Sequence, residues 1–199
     1  MGVVRYDLVL AGLGGQGVMT VCEVLAAAAL HQGLEVSLFE GTGLTQRGGG
    51  VFGFVRFGKT HGSKIPLGEA DGLISLEMSE VSRVIGYLKH GGEVWMNSAR
   101  IPGFYTKLDP VVYPTQKSLE TLVRIRTSRL HIIPADLIAR QVGSPQAVNM
   151  VMLGAFCRAD GLLRRESLVL AIQEASETHA ALNLDAFLGG YEFAEKGTP

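Results

Sequence analysis

The sequence is poor in the residues that bind metals. It has only two cysteines, Cys22 and Cys157, and neither belongs to a CxxC pair. Iron–sulfur and zinc sites need cysteine or histidine ligands at close, regular spacings, and the five histidines show no such spacing. We therefore expect no metal site in this chain. Both cysteines fall within predicted helices, where they are expected to be core residues.

Excess charge and long apolar runs are also missing. The formal net charge is −1 at pH 7, which argues against general binding to nucleic acid or to a membrane surface, because both require basic patches. No apolar run reaches the roughly 18 residues of a membrane-spanning helix, and the first residues lack the pattern of a signal peptide. These absences predict a cytoplasmic protein with no nucleic-acid or membrane partner.

What is present predicts a doubly wound, mainly parallel, Rossmann-like α/β sheet. Hydrophobic residues make up 47% of the 199 residues, enough for the core of a single domain that spans residues 1–199. Strands and helices alternate along the chain, which is typical of this fold class. The predicted strands are 6–11, 35–40, 51–57, 73–76, 93–97 and 130–133, and the predicted helices are 18–30, 79–89 and 135–142. Ser79 is expected to cap the second of these helices.

The last third of the chain predicts a helical pair, at about 144–182. Pro145 stands at the start of the first helix, and the second runs from about Glu166 to Ala181. Residues 101–113 contain two prolines and a glycine and predict an irregular connection. Residues 118–126 fit either a short helix or a strand.

A glycine-rich segment follows the first predicted strand and opens the first predicted helix. Its candidate binding residues are Gly12, Gly14, Gly15, Gln16 and Gly17. Glycines let the backbone approach an anion closely, and the free N–H groups and dipole at a helix start supply positive potential. The GxGxxG spacing also fits a dinucleotide site, with Glu40 where a ribose-binding acid would stand. A lone fingerprint of this kind is a weak signal, however, and no acid/base constellation accompanies it.

A second glycine-rich segment sets this chain apart from an ordinary dinucleotide-binding protein. It contributes four further candidate binding residues, Gln46, Arg47, Gly48 and Gly49. Arg47 places a fixed cation among glycines, a combination suited to phosphate groups.

The two segments, together with 51–58 and 149–155, resemble the gamma domain of the 2-oxoacid:ferredoxin oxidoreductases. The order and spacing of the two glycine segments carry the resemblance, which covers nearly the whole chain. Among these proteins, a free-standing chain of this size is most similar to the beta subunits of the indolepyruvate type.

The resemblance implies a subunit of a thiamine-diphosphate enzyme that decarboxylates a 2-oxoacid, here an aryl one, transfers the acyl group to coenzyme A and passes two electrons to ferredoxin. A large alpha subunit would hold the thiamine diphosphate, Mg and iron–sulfur clusters, and the complex would be a heterotetramer. In this chain only 70–72 and 159–161 approach the Gly-Asp-Gly start of a thiamine-binding pattern. We therefore expect no catalytic residue here and no cofactor held by this chain alone.

The resemblance leaves two roles open for the glycine segments. They either bind the phosphates of coenzyme A as a shared substrate, or the second segment faces the large subunit and shapes its thiamine cavity. Two other functions remain as alternatives: a stand-alone NAD- or FAD-binding oxidoreductase, and a noncatalytic nucleotide-binding assembly module.

Several single residues have two interpretations each. Arg56 is either a structural or solvated arginine or a ligand contact, and Gln16 either caps a helix or touches a ligand. His61 lies in a polar turn and is the one histidine that merits inspection. Asn149 and the methionines after it form either core or a face that docks onto the larger subunit.

Overall fold

The computed structural model describes residues 5–42, 49–101 and 113–195, which form one sheet with helices on both faces. Six strands make up this sheet, in the order β2-β3-β1-β4-β5-β6. They are β1 Tyr6–Leu13, β2 Val36–Thr42, β3 Gly50–Phe57, β4 Ala70–Ser75, β5 Leu88–Asn97 and β6 Leu130–Ile133. All six predicted strands are therefore present, several of them longer than predicted.

Most of the sheet is parallel, as the sequence predicts. β4 runs parallel to β1, and β5 and β6 continue the parallel order. The exception is β3, which pairs antiparallel with both β1 and β2. This arrangement confirms the doubly wound α/β class, with one antiparallel strand inserted between β1 and β2.

Seven α-helices are present in the described part of the chain. They are α1 Val18–His31, α2 Val81–Val84, α3 Gln116–Arg124, α4 Ala135–Gln141, α5 Val148–Asp160, α6 Arg165–Ala175 and α7 Ala180–Glu195. The predicted helical pair corresponds to α5 and α6, although α6 ends at Ala175 rather than Ala181. A third helix, α7, follows this pair and was not predicted. The ambiguous segment 118–126 is helical as far as Arg124. Most of the predicted irregular connection, residues 102–112, lies outside the described residues.

The predicted helix over 79–89 is wrong. Only the four residues of α2 are α-helical, flanked by 3₁₀ turns at Met78–Glu80 and Ile85–Tyr87. The carboxylate of Glu77, not Ser79, caps this segment by accepting the Ser79 N–H at 2.8 Å. Branched residues and Gly86 weaken helix propensity here, and the apolar residues instead cover the sheet. Gly91 and Gly92, predicted to end the helix, lie inside β5.

Because successive side chains of a strand point to opposite faces, the apolar residues of the strands form a core on each face of the sheet. In β1, Leu8 and Leu10 face a large core formed with α1, α4, α5, α6 and α7. Val9 and Ala11 face the smaller core formed with α2 and α3. This two-sided burial explains the unbroken apolar runs of the central strands.

Helices α5 and α7 pack with their backbones in contact. A Cβ added to Gly154 of α5 would lie 1.9 Å from the carbonyl oxygen of Phe187, and one added to Gly190 of α7 would lie 1.9 Å from that of Val151. Met150 and Met152 on α5 are buried. This part of α5 is therefore core rather than an exposed docking face.

Candidate functional site

The first glycine segment forms the turn between β1 and α1. Gly12 and Leu13 still belong to β1, and α1 begins at Val18. Between them Gly15 and Gly17 adopt positive φ values of 93° and 74°, which side chains with a Cβ rarely adopt. The glycines are therefore required by the path of the backbone itself.

Gln16 holds this turn closed. Its Oε1 accepts the Leu13 N–H at 2.7 Å, and its Nε2 donates to the carbonyl oxygen of Leu76 at 3.4 Å. Both polar atoms of the amide are thus engaged within the protein. The geometry favours a role for Gln16 in shaping the turn over direct contact with a ligand.

The two glycine segments meet at one edge of the sheet. The Gly14 N–H donates to the carbonyl oxygen of Gly49 at 3.0 Å, and Leu13 pairs with Gly50 at the start of β3. β2 ends at the same edge, where Thr42 pairs with Val51. We call this edge, where β1 ends and β3 begins, the loop edge. Gln46, Arg47 and Gly48 lie outside the described residues.

The loop edge presents backbone donors that suit an anion. Among residues 5–42, 49–101 and 113–195, no acceptor is found for the N–H groups of Gly15 and Gly17. α1 begins at the N-cap Gly17 without a side-chain cap. Free amides next to the positive end of a 14-residue helix suit a phosphate or carboxylate.

A charged pair that the sequence analysis missed supports the second segment. A Cβ added to Gly50 would lie 2.3 Å from both Glu80 Oε2 and Arg83 Nη1, so this pair lies directly against the backbone. Phe52, with these three residues, lines a small cavity of about 100 Å³. Burial raises the pKa of the Glu80 carboxyl, and Arg83, 3.7 Å away, partly offsets the rise. Glu80 and Arg83 are distant from Gly50 in sequence, so no local motif marks them.

Buried polar groups tie the loop edge to the ends of β4 and β5. The Leu76 carbonyl oxygen accepts Asn97 Nδ2 at 3.0 Å as well as Gln16 Nε2. Asn97 Oδ1 accepts the N–H groups of Ala99 and Ala135. This network fixes the ends of β4 and β5 relative to the first glycine segment.

Asn149 also reaches the first segment, from α5. Its Nδ2 lies 3.4 Å from the carbonyl oxygen of Gly17, to which it donates. A Cβ on Gly17 would collide with this amide at 2.4 Å. Asn149 therefore belongs to the surroundings of the site rather than to a docking face.

Three residues singled out from sequence do not lie at the loop edge. Arg56 forms a buried two-bond pair with Asp7, at 2.8 and 2.9 Å, at the opposite edge of the sheet. His61 is exposed in the turn after β3, near that same edge. Glu40 is exposed on β2, and β3 separates it from β1. That separation, of about 10 Å, removes the expected dinucleotide arrangement of acid and glycine turn.

The described residues do not fit a thiamine diphosphate site. Asp71 accepts the Asp7 N–H at 2.7 Å and pairs with Lys89. Burial raises the pKa of the Asp160 carboxyl, which disfavours the charged form that a metal needs. In the part of the chain that the structure describes, no group of His, Cys, Asp or Glu residues is arranged to hold a metal ion. Cys22 and Cys157 are buried, and burial raises the pKa of the Cys157 thiol to about 11.

No helix in the described ranges combines the length and the apolar character that crossing a membrane demands.

Comparisons with known proteins point to one family. The sequence pattern of the pyruvate ferredoxin/flavodoxin oxidoreductase family matches residues 7–193. An indolepyruvate oxidoreductase subunit IorB from Thermococcus kodakarensis is 32% identical over 196 residues, with 96% of this chain and 97% of that protein covered. The protein of the same name from Methanothermobacter thermautotrophicus is 32% identical, with 94% and 96% covered. The gamma subunit of a keto/oxoacid ferredoxin oxidoreductase from Geobacter sulfurreducens shares the fold, with a TM-score of 0.72, 22% identity and coverage of 96% and 99%.

Proposed function

The chain belongs to the pyruvate ferredoxin/flavodoxin oxidoreductase family, and from this membership we propose that it is the small subunit of an indolepyruvate-type 2-oxoacid:ferredoxin oxidoreductase. The complex oxidatively decarboxylates an aryl 2-oxoacid, forms the acyl-CoA and passes two electrons to ferredoxin. The relatives that match over nearly the whole chain are named indolepyruvate oxidoreductase subunits, which supports the substrate and the oxidoreductase class of this proposal.

The partner is a large subunit that holds thiamine diphosphate, Mg and iron–sulfur clusters. The polar groups of Asp71 and Asp160 are engaged or buried, so the described residues of this chain offer no place for the diphosphate and its metal. In this assignment the chain has no activity without the large subunit. Two copies of each subunit make the complete complex a heterotetramer.

This chain contributes the coenzyme A side of the shared active site. The observation that carries the proposal is the hydrogen bond from Gly14 N to Gly49 O, because it joins the two glycine segments at one edge. Backbone donors of the first segment and the guanidinium of Arg47 in the second then act on the same phosphates. The proposed binding residues are Gly12, Gly14, Gly15, Gln16, Gly17, Gln46, Arg47, Gly48 and Gly49.

Within this set the residues divide their work. Gly15 and Gly17 present backbone N–H groups, while Gln16 and Gly12 maintain the turn that orients them. Glu80 and Arg83 support the start of β3, to which the second segment leads. The chain therefore binds and orients the acyl acceptor, and the partner performs the redox chemistry.

Coexpression with candidate large subunits tests the proposed reaction. The purified complex should reduce a viologen dye only when both a 2-oxoacid and coenzyme A are present, with a higher kcat/KM for indolepyruvate than for pyruvate. A complex whose turnover ignores coenzyme A, or failure to assemble with every candidate subunit, contradicts the proposal. Light scattering of the complex measures its stoichiometry.

Calorimetric titration with coenzyme A separates the two roles of the second segment. If Arg47 binds phosphate, Arg47→Ala weakens coenzyme A binding by about ten- to a hundredfold, the value of a charge-assisted hydrogen bond. Arg124→Ala, at an exposed position on α3, is the matched control and leaves binding unchanged. Unchanged affinity in Arg47→Ala, together with loss of assembly, assigns the segment to the subunit interface instead.

A further inference from the structure

A cleft of about 630 Å³ opens beside the first glycine segment, where three helices begin. α1 contributes Thr20 to its lining, α5 contributes Asn149 and α7 contributes Asn183. Ser144 and His179, which precede α5 and α7, also line the cleft. We call it the N-terminal cleft. Asn149 connects it to the glycine turn through its contact with Gly17.

The N-terminal cleft has the electrostatics of an anion site. α1, α5 and α7 contain 14, 13 and 16 residues and direct their N-terminal ends toward it. α6 ends on its rim at Ala175, which offsets part of this potential. Among the described lining residues there is no aspartate or glutamate. Hydroxyl, amide and imidazole groups remain as the partners of a ligand.

The N-cap residues of α1 and α5 do not cap their helices. They are Gly17 and Ala147, and neither forms a side-chain cap hydrogen bond. In α5 the Met150 N–H donates to Asn149 Oδ1 at 3.0 Å. A ligand anion would satisfy the other first-turn N–H groups in the way that a capping serine or aspartate does elsewhere.

Ser144 gives an independent sign of a ligand. The residue is only 6% exposed, it lines the cleft, and its hydroxyl finds no hydrogen-bond partner anywhere in the described ranges. A hydroxyl on so buried a side chain, with no partner among the described residues, is available to a ligand in the cleft. Asn149 is 8% exposed, and its Nδ2 has only the long contact to Gly17. The Nδ1 atom of His179 lies 3.0 Å from Thr178 Oγ1, which leaves Nε2 as the ring nitrogen for a ligand.

We propose that the N-terminal cleft binds a phosphate group, with the Ser144 hydroxyl, the Asn149 amide and the first-turn N–H groups of α1 and α5 as donors. Its volume lies within the range of small-molecule sites, so the ligand extends beyond the phosphate. The phosphate site itself does not depend on the proposed function. Only the identification of coenzyme A as the source of the phosphate rests on it. The cleft adjoins the glycine turn, so one molecule with phosphates at two positions reaches both.

Titration of the full chain with inorganic phosphate, followed by amide NMR, tests the site. Resonances of 146–150 and of Thr20 should shift in a saturable manner. Ser144→Ala should weaken binding about tenfold, because it removes a hydrogen bond to a charged group. Ser128→Ala, at an exposed serine on another surface, is the matched control and should leave binding unchanged. Shifts confined to Gly14–Gly17, or equal affinities in the two serine variants, overturn the proposal.

Two substitutions of opposite charge at Thr20 sharpen the test without disturbing the fold. Thr20 is exposed in the first turn of α1, where a glutamate is favourable for the helix. Thr20→Glu should weaken phosphate binding at least tenfold, and Thr20→Lys should strengthen it. Identical affinities in these two variants contradict an anion site.

Competition identifies the source of the phosphate. Displacement of bound phosphate by coenzyme A supports the cofactor as the natural ligand. Saturable phosphate binding that coenzyme A does not displace overturns that assignment and keeps the anion site. Failure of the proposed function appears separately, as a missing 2-oxoacid- and coenzyme A-dependent turnover with the large subunit, and does not alter the phosphate titration.

Discussion

Polar groups are arranged differently at the two edges of the sheet. At the loop edge, the N–H groups of Gly15 and Gly17 have no acceptor among the residues that the structure describes, and α1 begins without a side-chain cap. At the opposite edge, where β1 begins, charges are paired with one another; we call this the ion-pair edge. Its pairs are Asp7–Arg56, Asp71–Lys89 and Glu93–Arg129, and His131 Nε2 lies 2.7 Å from Glu93 Oε1.

This difference assigns stability to the ion-pair edge and ligand binding to the loop edge. Arg56 satisfies Asp7 and also donates to the carbonyl oxygens of Gly62 and Lys64, which ties down the segment after β3. These groups are engaged with one another within the protein. The loop edge offers donors for a ligand, and its shape is maintained by internal contacts of Gln16 and Asn97 rather than by ion pairs.

The largest expected effect is at the ion-pair edge. Asp7→Asn leaves Arg56, which is only 6% exposed, without its carboxylate. An unpaired buried charge should lower the free energy of unfolding by about 3–5 kcal/mol, as measured by urea denaturation. Lys89→Met breaks a more exposed pair at the same edge and should cost no more than about 1 kcal/mol. Similar losses in both variants would refute the ranking.

The next largest effect is at Gly12 on the loop edge. A Cβ there would lie 2.9 Å from Val18 Cγ2 and 3.0 Å from Gln16 Oε1. Gly12→Ala should therefore cost about 1–3 kcal/mol through overpacking and should weaken coenzyme A binding by displacing Gln16. Gly62→Ala, where the added methyl meets no atom within 4 Å, is the control. The prediction fails if Gly12→Ala is as stable as this control and binds normally.

Gly15 tests binding apart from stability. Gly15 and Gly68 both have positive φ, 93° and 77°, and open space around the position of an added Cβ. Alanine at either position should cost about 1 kcal/mol of backbone strain. Only Gly15→Ala should also raise the KM for coenzyme A in the assembled complex. An equal KM in the two variants would show that the turn does not touch the ligand.

The smallest effect concerns the pH dependence of Glu80. Because burial raises its pKa in the folded state, the stability it contributes is complete below its ordinary pKa and is lost as the pH rises through the raised value. The free energy of unfolding of the wild type minus that of Glu80→Gln should therefore fall as the pH rises above the ordinary glutamate pKa of about 4. Urea titrations at several pH values measure this difference. A constant or rising difference contradicts the predicted cause.

The sequence predicts the sheet better than it predicts the surroundings of the site. The apolar runs at 73–76 and 130–133 predict strands because an unbroken apolar run is typical of a parallel strand that is covered on both faces. The helix over 79–89 fails because tertiary contacts override its local pattern. The approach of Asn149 to Gly17 joins residues 132 positions apart, and the contact of Glu80 and Arg83 with Gly50 is also nonlocal. Periodicity carries no information about such contacts.

The central claim is that the two glycine segments act on one ligand, and a double-mutant cycle tests it most directly. Coenzyme A affinity of the assembled complex is measured by calorimetry for the wild type, Gly15→Ala, Arg47→Ala and the double variant. If the segments share the ligand, as the hydrogen bond from Gly14 to Gly49 implies, the two changes should show a coupling energy of about 0.5–3 kcal/mol. Strictly additive losses, or no loss in either single variant, would contradict the account.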